Sequence, residues 1–567
     1  MRWTFKSKPP SEKILKLSNE LSVDKNIATL LVQRGIETYQ EAKIFFRPDI
    51  NHLHNPFLMQ DMLKAVERIE KAIAQGERIM VYGDYDVDGT TAVSLVSSYL
   101  KTYYPTIATY IPDRYSEGYG ISYQGIDFAK DNNFSLIIAL DCGVKAIDKV
   151  SYAFEKGIDF IICDHHRPGD ELPKAIAVLD PKREDCSYPY DELCGCGIGF
   201  KLVQALATRR GQTIDDLIGY LDLVATAIAA DIVPITGENR VLTYFGLIQI
   251  NTHPRTGIKA IIHQLKKDML TITDVVFIIA PRINAAGRMK HGTYAVELLT
   301  ETNFENAISK AAEIEIFNAD RKDLDSIITQ EGLQQIIANN EEQHSTTVVY
   351  QEDWHKGVIG IVASRLTETY YRPTLVFTKS GEKLAASARS VLGFDVYNAL
   401  EACTEYIEQF GGHKYAAGLT LLEENYQNFK QKFEQVVKET IPEELLHPEL
   451  KIDLEIAFAD ITPKFYRILK QFAPFGPQNM KPVFVAKGVR DTGYSRKVGA
   501  DENHLKLSLL SKDGKTRFNG IGFNLGKYHE AISKKIPFDI AFTIDKNHWN
   551  GTTSLQLNVK DISIENQ

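Results

Sequence analysis

Four separated segments of the chain place aspartates or histidines at the end of an apolar run or just after one. They are Tyr82–Gly89, Leu140–Gly143, Cys163–His166 and Ala230–Pro234. Carboxylates and imidazoles supply the oxygen and nitrogen ligands that divalent cations use. The set is large enough for two cations with a shared bridging ligand, the usual device for hydrolysing phosphate esters or anhydrides. The residues therefore predict a two-metal phosphohydrolase.

Each motif taken singly has a simpler explanation. An Asp-Gly pair such as Asp88-Gly89 usually forms a turn. Two adjacent histidines usually lie on the surface or form hydrogen bonds within the core. Three of the motifs, however, directly follow apolar runs typical of buried parallel strands, at 79–82, 136–140 and 158–162. Because open α/β sheets bind ligands at the carboxyl ends of their strands, we expect the motifs to meet at one edge.

The four segments resemble, in order, the motifs of the DHH phosphoesterase superfamily, and the details resemble its RecJ branch. Further RecJ-like segments are Pro281–Arg288, His355–Leu366 and, marking the DHH-associated domain, Gly411–Gly418. The resemblance spans roughly residues 60 to 530. It implies a single-stranded-DNA-specific 5′-to-3′ exonuclease that releases 5′-mononucleotides and acts in DNA repair and recombination.

The resemblance also implies roles at the metal site. The implied metal ligands are Asp84, Asp86, Asp88, Asp141, His165 and Asp231. Asp141 would bridge two cations, His166 would stabilise the phosphate or the leaving oxygen, and Asp164 would orient the histidines. These three residues are the implied catalytic set. Ligation by oxygen and nitrogen alone fits Mn²⁺ or Mg²⁺, and the imidazole favours Mn²⁺.

A second set of residues is implied for binding the substrate. It consists of Arg114, Ser116, Arg282, Asn284, Ser387, Arg389, Gly412 and His413. Arginine suits such a site because its planar fork binds two phosphate oxygens at once. A terminal 5′-phosphate held at a fixed distance from the metals would lead to release of one nucleotide at a time. Taken singly, each of these residues is at least as readily explained by an ordinary structural role, such as that of a turn glycine or a surface arginine.

Charge is distributed unevenly along the chain. The net charge of −9 does not by itself indicate a nucleic-acid-binding protein. Between Lys481 and Lys527, however, ten Lys or Arg face four Asp or Glu, a local net charge of +6. Alternating segments at 505–510 and 518–523 predict strands of a small β-barrel, and the resemblance implies an oligonucleotide-binding (OB) fold. A basic, aromatic-bearing barrel can hold single strands by charge and stacking, although an ordinary solvated face is the alternative.

A chain of 567 residues is too long for one hydrophobic core. The predicted fold class is α/β, with two β-α lobes joined by a long helix and a C-terminal β-barrel. The predicted domains are an N-terminal extension over 1–60, a DHH catalytic domain over 61–260, a connecting segment with the long helix over 261–345, a DHH-associated substrate-binding domain over 346–445 and an OB-fold nucleic-acid-binding domain over 446–567.

The connecting segment shows helical periodicity. From Asn303 to about Asn340 there is no proline and apolar residues recur at helical spacing, which predicts one helix roughly 55 Å long. The alternative is two shorter helices with a break near Asn318 or Gly332.

Cysteine usage and hydropathy limit the remaining possibilities. Cys186, Cys194 and Cys196 lack a fourth ligand at a zinc-site spacing, so reduced thiols are predicted. The sequence contains neither a signal-peptide-like segment nor an apolar run of membrane-spanning length, which predicts a cytoplasmic protein without a membrane partner. The resemblance implies single-stranded DNA, a DNA helicase and a single-stranded-DNA-binding protein as partners of a monomer.

Two other functions compete with this interpretation. One is a DHH-family phosphodiesterase acting on short oligonucleotides or cyclic dinucleotides, which the barrel and the Arg282 segment disfavour. The other is a non-catalytic member of the superfamily that keeps the fold with degraded motifs. The presence of every expected metal ligand disfavours the second.

Overall fold

The structure is a computed structural model that describes residues 1–534, 536–549 and 551–564. The strands in these residues are β1 Arg2–Phe5, β2 Arg78–Gly83, β3 Ile107–Tyr110, β4 Phe134–Leu140, β5 Asp159–Cys163, β6 Ala177–Leu179, β7 Thr347–Tyr350, β8 Thr374–Ser380, β9 Lys383–Arg389, β10 Gln409–His413, β11 Ala416–Leu422, β12 Glu449–Ile452, β13 Leu454–Glu455, β14 Phe484–Asp491, β15 Arg496–Val498, β16 His504–Leu510, β17 Arg517–Gly522, β18 Phe538–Trp549 and β19 Thr552–Ser563.

The α-helices in the same residues are α1 Ser11–Leu21, α2 Lys25–Val32, α3 Tyr39–Phe46, α4 Met62–Ala74, α5 Val87–Lys101, α6 Tyr123–Asp131, α7 Ile147–Glu155, α8 Gly195–Arg209, α9 Leu221–Asp231, α10 Gly237–Thr252, α11 Thr256–Ile262, α12 Ile272–Asp274, α13 Ala280–Met289, α14 Thr293–Thr300, α15 Phe304–Ala338, α16 Ile359–Tyr370, α17 Val396–Glu401, α18 Tyr426–Thr440, α19 Pro463–Lys470 and α20 His529–Ser533. A π-helical turn, Val275–Ile279, precedes α13.

Contacts divide the chain into two units. One consists of 1–49, 234–236 and the residues from 448 onward, and the other of 50–233 and 237–447. Among the residues that the structure describes, no helix is both long enough and apolar enough to cross a lipid bilayer.

The first lobe of the unit formed by 50–233 and 237–447 contains a parallel sheet with the strand order β3-β2-β4-β5-β6. Its central strands are apolar and buried along most of their length, as expected for a sheet with both faces covered. Helix α5 packs against β2, α8 and α9. Because parallel strands end at the same edge, the residues that follow β2, β4, β5 and β6 come together there.

The second lobe of the same unit contains a mixed sheet with the order β10-β11-β9-β8-β7. Neighbouring residues of β8 face opposite sides of this sheet. Phe377 packs with Phe429 and Phe433 of α18, whereas Val376 packs with Leu366 of α16. The second lobe is therefore a sheet covered by helices on both faces.

The long helix α15 is continuous through 35 residues, Phe304–Ala338. The predicted single helix is therefore confirmed, and there is no break at Asn318 or Gly332. A Cβ at Gly332 would lie 3.2 Å from a methyl carbon of Leu366, so glycine allows α15 to approach α16 closely. Helix α15 also packs against α11, α13 and α14 of the first lobe. It connects the two lobes of this unit.

The other unit contains a seven-stranded sheet with the order β13-β14-β18-β19-β17-β16-β15, and an additional pairing of β14 with β16 closes it. In β16 the side chains of Leu505, Leu507 and Leu509 are buried in alternation with more exposed neighbours. The predicted barrel strand is present, and the predicted fold class is confirmed.

Residues 1–49, most of the predicted N-terminal extension over 1–60, pack with this barrel. Strand β1 pairs in parallel with β12. Leu17 and Ile27 share one hydrophobic core with Phe472 and Phe484 of the barrel. Phe484, one of the aromatic residues within the basic stretch 481–527, is therefore a core residue and is not exposed for stacking on bases.

Candidate active site

Four neighbouring strands of the parallel sheet end in acidic residues. Asp84 follows the end of β2, Asp141 follows β4, Asp164 follows β5 and Asp180 follows β6. Strand β4 lies between β2 and β5. The fold therefore places Asp141 between the groups contributed by its two neighbours.

The Nε2 atom of His165 marks the centre of a carboxylate cluster. It lies 3.2 Å from Asp141 Oδ1, 3.6 Å from Asp231 Oδ2 and 3.8 Å from Asp88 Oδ2. Asp88, Asp141 and His165 are buried, whereas the Asp231 side chain is 30% exposed. A further group of mutually close ligand atoms joins His166 to Asp141 and His165. Residues predicted from separate motifs thus converge on one point.

Several buried ligand atoms in this cluster lack a hydrogen-bond partner among the described residues. They are both carboxylate oxygens of Asp84, Oδ1 of Asp141 and Nδ1 of His165. A buried polar atom without a partner lowers the stability of a fold, so such atoms usually have an ion or water as their partner. Carboxylate oxygens with imidazole nitrogen are the ligands of Mn²⁺ and Mg²⁺. The residues therefore fit divalent cations.

Burial and mutual repulsion change the acidity of these groups. Burial, followed by the charges of neighbouring aspartates, raises the pKa of Asp141 well above its ordinary value, raises the pKa of Asp88 to about 6 and raises that of Asp231 to about 8. Burial lowers the pKa of His165 to about 3, so its imidazole is neutral. Positive charge from bound protons or cations is therefore needed to neutralise the buried carboxylates.

Asp86 lies at the rim of the cluster. It is partly buried, and its Oδ1 accepts a hydrogen bond of 3.0 Å from the Gly89 N–H at the start of α5. After burial, the charge of Asp86 is the largest contribution that raises the pKa of Asp84 and of Asp88. Asp86 therefore belongs to the same electrostatic cluster.

Asp164 organises the loop that carries both histidines. Its Oδ1 accepts hydrogen bonds from the backbone N–H groups of His165 at 2.8 Å and His166 at 3.2 Å, and it lies 2.7 Å from His166 Nδ1. Its Oδ2 accepts from the Val144 N–H at 2.9 Å. Burial opposes protonation of His166, but the bond to Asp164 raises the pKa of His166 to about 9. His166 is thus a cationic donor beside the cluster.

A segment outside the four motifs contacts the same carboxylates. The N–H groups of Gly195 and Cys196, at the start of α8, donate to Asp88 at 2.6 and 2.7 Å. Cys194 and Cys196 are buried in this segment, and Cys186 is partly exposed. All three are free thiols.

Four arginines lie close together beside the carboxylate cluster. Burial, followed by the charges of Arg114, Arg389 and Arg321, lowers the pKa of Arg288 to about 10. Asp86 acts on Arg288 in the opposite direction, which places the arginines next to the metal site. Cations held together in this way are stabilised by an anion, and arginine forks match phosphate oxygens.

Backbone carbonyls hold two of these arginines in place. Arg114 Nε donates to Gly287 O at 2.9 Å, and its guanidinium lies 3.8 Å from the centre of the Tyr85 ring. Arg288 Nη1 donates to Gly357 O, in the second lobe, at 3.0 Å. The position of Arg288 therefore depends on contact between the two lobes of this unit.

The second lobe contributes a polar group to this cluster. On β9, Arg389 Nη1 donates to Ser387 Oγ at 3.0 Å. A Cβ at Gly360 of α16 would lie 3.0 Å from Ser387 Oγ and 3.1 Å from Arg389 Nη2. Glycine at 360 thus leaves space beside both side chains at the start of α16.

A cleft of about 290 Å³ opens beside His166 and receives residues from both lobes. Tyr119, Lys145 and His166 line it from the first lobe, and His413 lines it from the second. Gly412 has a φ of 145°, and a Cβ there would lie 2.4 Å from Ala416 O, so the backbone beside His413 requires glycine.

Two of the predicted substrate-binding residues, Arg282 and Ser116, have side-chain partners within the protein, and a third, Asn284, is partly buried. Arg282 Nε lies 2.5 Å from Glu315, and its Nη1 donates to a backbone carbonyl one turn earlier at 2.7 Å. Both the N–H and the Oγ of Ser116 donate to Asp113 Oδ1, as in a turn. Asn284 is half-buried on α13.

Family models match three segments of the chain. They are described as "DHH family, N-terminal domain" over residues 78–228, "DHHA1 domain" over 343–439 and "RecJ OB domain" over 452–561.

Two bacterial relatives match most of the chain. The "Single-stranded-DNA-specific exonuclease RecJ" of Bacillus subtilis strain 168 is 36% identical over 569 residues, covering 100% of this chain and 71% of that protein. The protein of the same name from Escherichia coli K12 is 34% identical over 520 residues, covering 88% of this chain and 89% of that protein. The chain belongs to the RecJ family. The predicted family is confirmed.

A RecJ crystal structure has the same fold. RecJ in complex with Mn²⁺ from Thermus thermophilus superposes with a TM-score of 0.85 at 25% identity, covering 100% of this chain and 80% of that one. The two-lobed arrangement and the barrel are thus those of a RecJ protein.

Sequence reasoning missed four residues that the structure places at this RecJ site. They are Asp180, Gly195, Arg288 and Arg321. Arg288 stands in a RecJ-like segment, but Arg282 was chosen for the phosphate set. Arg282 and Arg288 are six residues apart on α13 and therefore point to different faces of the helix. Gly287 lies against the backbone of Tyr85, near the metal site. Gly287, next to Arg288, was the sequence feature that could have indicated this close contact.

Proposed function

We propose that the protein is a single-stranded-DNA-specific 5′-to-3′ exonuclease that releases 5′-mononucleotides by two-metal hydrolysis and acts in DNA repair and recombination. The observation that carries this proposal is the juxtaposition of a buried carboxylate–imidazole cluster with arginines. Arg114 stacks on Tyr85, which stands between Asp84 and Asp86, and Gly287, the neighbour of Arg288, lies against the Tyr85 backbone. Such a pair of clusters suits a phosphate-ester substrate. The names of the curated relatives support single-stranded DNA as that substrate.

The proposed cofactors are two divalent cations, Mn²⁺ or Mg²⁺. The residues proposed to hold them are Asp84, Asp86, Asp88, Asp141, His165 and Asp231, with Asp141 shared. When bound, the cations supply positive charge that acidifies a water molecule and neutralises the phosphate. The Mn²⁺ in the Thermus RecJ structure supports this choice.

Residues beside the cations are proposed to bind the phosphodiester that is cleaved. The cationic His166 donates a hydrogen bond to a phosphate or leaving oxygen, where negative charge develops. Asp164 keeps the proton on His166 Nδ1 and fixes the ring, so Nε2 is the donor that faces the substrate. His413 lines the same cleft from the second lobe, so the DNA backbone is held from both sides.

Direction is proposed to come from the arginine cluster. Arg114, Arg288 and Arg389, with Ser387, bind the 5′-terminal phosphate through charge-assisted hydrogen bonds. Because the arginines lie beside the metal site, a phosphate held there places the neighbouring phosphodiester at the cations. Arg282, Ser116 and Asn284 remain part of the proposed substrate-binding set, and the charge of Arg282 acts on Arg321.

The barrel is proposed to supply affinity for single strands. Its basic stretch carries exposed aromatic side chains, with Tyr494 80% and Phe523 56% exposed. Stacking on such rings, together with neutralisation of phosphates, binds single strands with little sequence preference. The match to the RecJ OB domain supports this role.

The direct test uses DNA 20-mers labelled at one end, with 5′-phosphate or 5′-hydroxyl, as single strands and as duplexes. With Mn²⁺, we expect 5′-labelled mononucleotide as the first product from phosphorylated single strands, and little cleavage of duplex. Pyrophosphate and cyclic dinucleotides serve as competing substrates in parallel. Faster hydrolysis of either small substrate would instead support the small-substrate DHH alternative.

Three further features extend the proposal. The protein would act as a monomer in the cytoplasm and would cooperate with a DNA helicase and a single-stranded-DNA-binding protein. Light scattering of the purified protein tests the monomer. Stimulation of exonuclease activity on duplex DNA by an added helicase tests the cooperation.

A further inference from the structure

Two backbone N–H groups at the start of α8 point at one buried carboxylate. The Gly195 N–H donates to Asp88 Oδ2 at 2.6 Å, and the Cys196 N–H donates to Asp88 Oδ1 at 2.7 Å. Asp88 belongs to α5, 107 residues earlier in the chain. Each oxygen of this carboxylate is therefore fixed by a separate backbone donor.

The same glycine lies against a second carboxylate. A Cβ at Gly195 would lie 2.5 Å from Asp141 Cβ, 2.7 Å from Asp141 Oδ1 and 2.8 Å from Asp141 Cα. Asp141 has a φ of 60°, and its N–H donates to Cys163 O at 2.8 Å, so its backbone is held at the end of β4. The close approach of α8 to the end of β4 thus requires the absence of a side chain at 195.

Formation of the helix does not explain glycine at this position. Within a helix, alanine is more favourable than glycine. Gly195 instead sits where α8 contacts both Asp88 and Asp141, which come from different elements of the lobe. The position is determined by these two carboxylates.

We infer that Gly195 is a positioning residue of the metal centre. Its N–H, with that of Cys196, fixes Asp88, and its lack of a side chain allows Asp141 to lie beside Asp88 at the distance that a shared pair of cations needs. This inference rests on the proposed function. It predicts that a methyl group at 195 displaces Asp141 and weakens cation binding without unfolding the lobe.

The first experiment compares Gly195→Ala with Gly197→Ala. At 197, in the same helical turn, a Cβ would meet only side-chain atoms of Leu193 and Cys194, at 3.4 Å or more. Both variants replace a glycine of α8 with alanine, which has the higher helix propensity. Metal-free proteins are titrated with Mn²⁺ by calorimetry, and their thermal unfolding is followed by circular dichroism. We expect Mn²⁺ affinity to fall about tenfold or more in Gly195→Ala and to stay within about twofold in Gly197→Ala.

A second pair of variants isolates the hydrogen bond to Asp88. Proline has no N–H but is tolerated in the first turn of a helix. Cys196→Pro therefore removes the donor to Asp88 Oδ1 and puts the ring Cδ where the hydrogen was, so Asp88 has to shift. Cys196→Ala controls for loss of the thiol. We expect weaker Mn²⁺ binding in Cys196→Pro than in Cys196→Ala, with a melting temperature of the metal-free protein close to that of the control.

The outcomes separate this inference from the proposed function. Unchanged Mn²⁺ stoichiometry and affinity in a folded Gly195→Ala would overturn the inference and leave the proposed function intact. If Gly195→Ala does not fold, equal affinities of Cys196→Pro and Cys196→Ala would overturn it. Failure of the unaltered protein to bind Mn²⁺ would instead refute the proposed metal centre itself.

Discussion

The carboxylate cluster and the arginine cluster lie side by side but are assembled in different ways. The acidic ligands come largely from successive strand ends of one parallel sheet, and backbone N–H groups hold Asp88 and Asp164. The arginines come from a loop, α13, α15 and β9, and carbonyls hold Arg114 and Arg288. The carboxylate cluster is formed by the first lobe alone. The arginine cluster forms only when both lobes pack against α15.

This difference should separate the two clusters in function as well. Loss of a carboxylate should remove the chemistry and leave DNA binding intact. Loss of an arginine should change which DNA end is chosen and leave the chemistry on other ends intact.

The largest effect is expected at Asp141, the proposed bridge. Asp141→Ala should reduce hydrolysis of single-stranded DNA roughly a thousandfold, since both cations lose a ligand. Binding of single strands, measured by fluorescence anisotropy, should stay close to that of the unaltered protein. More than about a tenth of the normal rate at saturating Mn²⁺ would contradict a mechanism that depends on a bridging carboxylate.

The next effect concerns the choice of DNA end. Arg288→Ala should lower kcat/KM on 5′-phosphorylated strands about 10- to 100-fold, because a charge-assisted hydrogen bond is lost. Rates on 5′-hydroxyl strands should change little. Arg209→Ala is the control, since this arginine of the first lobe pairs with Glu70 on the surface. Equal slowing on both kinds of end would make Arg288 a general backbone contact.

A smaller effect is expected for substitutions on the barrel, which belongs to the other unit. Replacing Tyr494, Arg496 and Lys497 with alanine should raise KM for long single strands several-fold and leave cleavage of short oligonucleotides unchanged. Each lost phosphate contact should reduce the log–log salt slope of binding by about 0.7. Substitution is preferable to truncation at residue 450, since residues 1–49 share the barrel core. An unchanged salt slope would indicate a solvated or protein-docking face.

The smallest effect is one of stability. The pKa of Asp84 is raised in the fold by burial and by Asp86, so this carboxyl lowers stability at any pH above its unfolded value. Asp84→Asn should therefore raise the melting temperature of the metal-free protein at pH 8, by about 1 °C per kcal/mol recovered. Calorimetry with and without Mn²⁺ measures this. A lower melting temperature in the metal-free variant would show that Asp84 already has a stabilising partner.

The parallel sheet was predictable because its strands are buried on both faces. Continuous apolar runs at 79–82, 136–140 and 158–162 correspond directly to β2, β4 and β5. Strand β6 was missed, because Ala177–Leu179 is only three residues long. Asp180, which follows it, nevertheless fits the same pattern of an apolar run ending in an acid.

The site was predictable only where its residues are neighbours in sequence. The proposed metal ligands stand in short motifs, so their chemistry and their common sheet edge follow from the sequence. Arg288 and Arg321 meet through packing of α13, α15 and the second lobe, which periodicity does not reveal. Gly195 acts through its backbone and through the space that it leaves, and neither gives a chemical signal in the sequence.

The pairing of β1 with β12 has a consequence for how the protein is made on the ribosome. Arg2 lies opposite Glu449 in this ladder, and the core that contains Leu17 also contains Phe542. During translation, the first helices must therefore wait for more than 400 residues before their partners emerge. The metal-binding unit can fold in that interval, because the strands of its sheet are close in sequence. The barrel unit can then form only after the metal-binding unit, and its N-terminal helices are exposed to chaperones and proteases until the residues from 448 onward have been synthesised.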